Sequence, residues 1–137
     1  MPIAINGKII SGLGVATVLI GMQKDLLRPY FPQIDTCQIG TINVDLSMPL
    51  QVRLPDIVTP PVRWNPSQPG GERFGITHVE IELSGEARQE AWLYTPEHSP
   101  HRFNSYLAEI IAVPLVGIHV GRPCKIHIDR FVPVIVI

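Results

Sequence analysis

Fourteen prolines are spread over 137 residues, about twice the ordinary share, and nothing else in the sequence restricts its fold as much. Each proline removes a backbone donor and fixes φ, so a long helix running through these positions would lose hydrogen bonds and kink. Short strands joined by stiff turns are the arrangement that such a chain permits. With 45% hydrophobic and 17% charged residues, residues 1–137 are expected to form a single domain with an ordinary core. A formal charge of -1 leaves no basic surface for nucleic acid or anionic lipid, and no apolar run reaches the roughly 18 residues that a membrane span needs. The N-terminal sequence MPIAINGK lacks the pattern of an export signal. Cys37 and Cys124 stand far apart in no metal-binding spacing. These features together predict a soluble, cytoplasmic protein without a disulfide framework.

The hydrophobic pattern has the period of strands. Ile42, Val44 and Leu46 alternate with Thr41, Asn43 and Asp45, as in a half-buried strand. Leu50, Val52 and Leu54 repeat the alternation between Pro49 and Pro55, and Ile126 and Ile128 do so near the end. From Phe74 to Leu83 the alternation changes phase, Phe74 and Ile76 on one face and Val79, Ile81 and Leu83 on the other, which predicts a bulge near Thr77 or His78. Ser84-Gly85-Glu86 then turns the chain into a partner strand over 89–95. One short helix is expected from about Met22 to Arg28, with Met22, Leu26 and Leu27 on its apolar face and Pro29 ending it. Residues 55–73 hold too many prolines and glycines for regular structure and read as a long loop, with Trp64 either a platform for a flat ligand or an anchor for the loop itself. The fold class that results is mainly β: a small six-stranded barrel with one short helix. The apolar segment Phe131-Val-Pro-Val-Ile-Val-Ile137 is expected to pair in a sheet or against a second subunit, making a homo-oligomer.

Three groups of residues bear on chemistry. Ser11-Gly12-Leu13-Gly14 is either a plain hairpin turn or a glycine cradle whose backbone N–H groups receive a phosphate; no helix pattern follows it, unlike a dinucleotide fingerprint. Thr41 and Asn43 lie side by side on one strand face, either simply solvated or completing the oxygen shell of a phosphate-bound magnesium ion. His98 and His101, with Glu97, have a metal-compatible spacing, but Pro96 and Pro100 put them in a loop and no third ligand follows, which favours ordinary loop histidines. Glu80, Glu82 and Glu86 fit a strand with exposed carboxylates as well as an acid/base pair. His119 and His127 fall in strand-like contexts and are expected to be satisfied structurally.

In order and spacing, Ser11-Gly12-Leu13-Gly14, Gly40-Thr-Ile-Asn-Val-Asp-Leu46, Phe74-Gly75 and Glu109-Ile-Ile-Ala112 resemble the archaeal CTP-dependent riboflavin kinases. The resemblance covers about Gly7 to Ile128 and implies a six-stranded cradle-loop barrel that transfers a phosphoryl group from CTP or another nucleotide to riboflavin, giving FMN. It implies that Gly12, Leu13, Gly14, Val15, Ala16 and Thr17 form the nucleotide loop. It further implies that Thr41 and Asn43 hold Mg2+ and that Glu109 contacts the flavin. Val15-Ala16 stands where the family has Glu-Gly, and Val113-Pro-Leu-Val-Gly-Ile-His-Val-Gly121 replaces a proline and a basic stretch. An alternative expectation is therefore a barrel of the same fold that binds a small ligand without catalysis.

Overall fold

A computed structural model describes residues 3–10, 24–37, 41–52, 55–98 and 104–128. Seven strands carry the chain: β1 (Ile3–Ile10), β2 (Ile42–Leu46), β3 (Ile57–Val58), β4 (Phe74–Leu83), β5 (Gln89–Pro96), β6 (Leu107–Ala112) and β7 (Pro123–Ile128). All pairings are antiparallel, in the order β4-β5-β6-β2-β1-β7, and β7 returns to β4 and closes a six-stranded barrel. β3 is an extra strand on the edge of β4 that β7 leaves free: it pairs with Gly75 and Ile76, while β7 pairs with Glu80 to Leu83. Between the two, the Asp56 carboxylate accepts a hydrogen bond from the backbone N–H of His78 at 2.6 Å. A donor stranded between two partner strands is thereby satisfied.

Alternation decides which residues fill the barrel. Val44, Ile81, Leu93, Ile110 and Ile126 all point inward and share one buried cluster. A second cluster lies on the outer wall, where Phe74, Ile76, Trp92, Tyr94 and Ile111 are covered by Leu27, Phe31 and Ile34. Phe31 meets Trp92 edge-on at 5.1 Å, and Phe74 stacks on Tyr94 at 5.8 Å, geometries that suit aromatic quadrupoles. The covering segment is a helical turn over 24–27 followed by a 3-10 helix, Pro32–Thr36. Arg28 Nε–H, shared between both Asp35 carboxylate oxygens at 3.0 and 2.9 Å, ties the two together.

Several expectations need correcting. The phase change in β4 is not a bulge, because Phe74 to Ile81 pair with Pro96 to Gln89 without interruption. Instead β4 is buried on both faces there: Phe74 and Ile76 enter the outer cluster, while Thr77 points inward with Val79 and Ile81. The helix turns Leu27 into the protein and leaves Leu26 40% exposed; Met22 lies outside the described residues. Residues 50–52 form no strand, yet Leu50 and Val52 pack against the barrel core; Leu54 falls outside the described residues. The 55–73 stretch is not irregular throughout, since it contains β3 and an isolated bridge between Val62 and Glu72. At the β4–β5 turn Gly85 adopts φ +83°, which glycine reaches without strain.

Candidate functional site

Asn43 stands where β2 is flanked by β1 and β6, and Thr41 immediately precedes the strand. Ile42 and Val44 point into the barrel, so Asn43 between them and Thr41 before Ile42 face the outer wall. Asn43 is opposite Ile10, the last residue of β1, on one side and Glu109 of β6 on the other. Opposite residues share a face, so the Asn43 amide and the Glu109 carboxylate lie side by side on the wall, and Thr41 stands two residues before Asn43 on the same side. Asn43 is not the solvated residue that alternation suggests: it is 5% exposed. Asn43 Oδ1 and Thr41 Oγ1 are both buried without a hydrogen-bond partner. Buried acceptors are normally paired, and leaving one unpaired costs about 1–3 kcal/mol. Two such oxygens on adjacent outward positions of one strand are suited to a ligand that supplies donors or a cation.

These residues fit magnesium in a limited sense. A hard cation takes oxygen ligands, and Thr41 Oγ1, Asn43 Oδ1 and Glu109 offer two neutral oxygens and one carboxylate. That set suits an ion brought in by phosphate groups, which would provide most of its charge balance. Among the described residues no group of three or more His, Cys, Asp or Glu side chains is placed to hold a metal. Gly12 to Thr17 lie outside the described residues, although the chain leaves β1 at Ile10, directly beside Asn43.

A second feature adjoins Glu109. β5 and β6 pair only through Ala91 to Leu93 and Ile110 to Ala112. Beyond these pairs a cleft of about 200 Å³ opens between residues 94–96 and 107–109. Leu50, Leu93 and Ala108 give it apolar walls, and Thr95, Ser105 and Glu109 give it polar groups. An apolar slot with a few converging polar groups is the usual form of a small-molecule site. Sequence reading missed the cleft because the divergence of two strands has no local signature.

The other candidate groups are accounted for structurally. Glu72, only 3% exposed, accepts from Trp64 Nε1 at 2.8 Å and from the His98 backbone N–H at 2.6 Å. Trp64 thus fastens its own loop to the outer cluster. The His98 ring lies 3.6 Å from Glu97; His101 is outside the described residues. Glu82 contacts His127 at 2.8 Å and Arg88 at 3.9 Å, Glu80 lies 3.5 Å from Arg88, and Glu86 3.7 Å from Arg122. Each of the three glutamates has a basic neighbour. His127 is a satisfied buried histidine, whereas His119 is exposed in the loop before β7 and not in a strand. Burial raises both thiols, that of Cys124 to about 11, so neither cysteine has the thiolate character of a nucleophile. Among the described residues no helix is long and apolar enough to cross a membrane.

No protein-family model matches this chain, and no curated protein is significantly similar to it.

Proposed function

We propose that this chain is a riboflavin kinase-like barrel that binds a magnesium-bound nucleotide at Thr41 and Asn43 and a flat acceptor in the cleft beside Glu109. The observation that carries the reading is the pairing of Asn43 with Glu109 across β2 and β6, next to two buried oxygens without partners. Residues expected to serve the donor and the acceptor are direct neighbours, as phosphoryl transfer requires, because its catalysis is mostly positioning and charge neutralisation. Bound magnesium would offset the charge of the phosphate oxygens. Thr41 and Asn43 fix the donor on the wall, the cleft holds the ring system of the acceptor out of water, and Glu109 accepts a hydrogen bond from its polar edge. The bond from the terminal phosphorus to the leaving diphosphate breaks, one to a ribityl oxygen forms, and the hydroxyl proton is released.

The second reading keeps the barrel, without the transfer, and gives it a different small ligand. It is favoured by the absence of any Lys or Arg from Ile110 to Gly121, which leaves a triphosphate poorly neutralised. Titration calorimetry with CTP, ATP, riboflavin and FMN, each with and without magnesium, followed by an assay for FMN, separates the two. Magnesium-dependent nucleotide binding with riboflavin binding and FMN formation is the expected result. Binding without product removes the kinase reading, and no binding of any of the four removes it too and leaves the second, with a ligand outside these four. Asn43→Ala and the near-isosteric Thr41→Val should each weaken nucleotide binding at least tenfold in magnesium and leave it unchanged without the ion. Equal affinity of variant and wild type in magnesium would remove the metal site.

A further inference from the structure

A triphosphate brings more negative charge than one magnesium ion offsets, so a site for it needs a further cation within reach. The segments that build the wall around Asn43 hold very few. Residues 41–52, with β2, and 104–121, with β6, contain no Lys or Arg, and residues 1–23, with β1, contain one, Lys8. Ile9 is buried in the barrel core, so Lys8 before it points outward, and it is exposed. Register puts it close to the proposed site. Lys8 is opposite Asp45 and Ile10 is opposite Asn43, so Lys8 and Asn43 are diagonal neighbours on one face, with Cα atoms about 7–8 Å apart, a gap that a long side chain spans. On its other side Lys8 faces Pro123 of β7, which carries no charge. Asp45 is exposed as well, yet no ion pair joins it to Lys8.

The other described cations are occupied or remote. Lys24 and Arg28 pair with Asp35, and Arg88 with Glu80. Arg122 lies 3.7 Å from Glu86 and donates to Gly117 O and Ser84 O. Arg63 and Arg73 belong to the stretch before β4, and Lys125 to β7, strands that do not pair with β2. Arg53, Arg102 and Arg130 lie outside the described residues, as does the apolar segment 131–137. From these observations we infer that Lys8 binds the phosphates of the nucleotide, its ammonium donating to a phosphate oxygen beside Thr41 and Asn43. The inference rests on the nucleotide half of the proposed function and adds to it a charge that residues 110–121 do not supply. An ammonium on a flexible stem suits the task, because it follows a phosphate as a point charge without a fixed fork geometry.

The test is titration calorimetry of the full-length chain with CTP, ATP and inorganic triphosphate in excess magnesium. Lys8→Gln should weaken binding of the ligand that wild type takes by about tenfold or more, the loss expected of one charge-assisted contact. Lys8→Arg keeps the charge and should stay within about threefold of wild type. Lys125→Gln removes the same charge from the same outer face one strand further from β2 and should change the affinity less than about twofold, since at physiological salt the field of an exposed charge is screened over about 8 Å. Riboflavin affinity and the thermal midpoint should be the same in Lys8→Gln and wild type. Undiminished affinity in Lys8→Gln, or an equal loss in Lys125→Gln, would overturn the role of Lys8 and leave the nucleotide reading in place. A wild-type chain that binds none of the three phosphate ligands would overturn the nucleotide reading and this inference with it.

Discussion

Thr77 is the one polar side chain that β4 sends to the barrel interior among hydrophobic neighbours, and it is fully buried opposite Leu93. Its hydroxyl has no partner, so folding strips it of water without replacing the lost hydrogen bonds. Thr77→Val keeps the shape and removes the donor, and it should raise the free energy of unfolding by about 1 kcal/mol, measured by urea denaturation. A loss of stability would mean that the hydroxyl is engaged by an enclosed water. Thr41 and Asn43 also bury unpaired oxygens, but on the outer side of the wall and not inside the barrel. Alternation alone identified these two as neighbours on a strand face. That Glu109 completes the group depends on the register of β2 against β6, which the resemblance suggested only as a separate contact.

The segment from 24 to 37 shows how one element can lie on the barrel without belonging to it. Its apolar face, Leu27, Phe31 and Ile34, is buried on the outer cluster, and its two helical pieces are joined by the exposed Arg28–Asp35 pair. The Arg28 guanidinium holds the Asp35 carboxyl below the usual carboxylate range. The stabilisation from this group is therefore present above the unfolded carboxylate pKa, about 3.9, and is lost as pH falls through the lower folded value. Thermal midpoints of wild type and Asp35→Asn should differ slightly at pH 6, in favour of wild type, and converge as the pH drops towards 2. A difference that persists at low pH would rule out the ion pair as its source. Legibility at this scale followed the number of buried faces. β2, the β4–β5 hairpin and β7 were readable because alternation or a turn signal marked them. The phase change in β4 was misread because this segment covers the face that is normally exposed. The 55–73 stretch was misread because Asp56 and Glu72, charged residues of the kind normally solvated, hold it in place through buried or backbone hydrogen bonds.

Closure depends on β7, which joins the first strand to the middle of the chain. Ile126 sits at that junction, opposite both Ile5 and Ile81, and is fully buried. Ile126→Ala should cost about 3 kcal/mol through lost burial and the cavity left behind. The transition should stay single, with far- and near-ultraviolet circular dichroism coincident, because a closed barrel has no part that can unfold and leave the rest paired. Two separated transitions would show that the outer cluster and the barrel melt independently. The wall is not uniform, however: eight residue pairs join β4 to β5 and only three join β5 to β6. A cylinder under thermal agitation gapes first along its shortest row of rivets. Any molecule lodged between residues 94–96 and 107–109 would then act as a clasp across that seam, making occupancy and the stiffness of the wall two readings of one event.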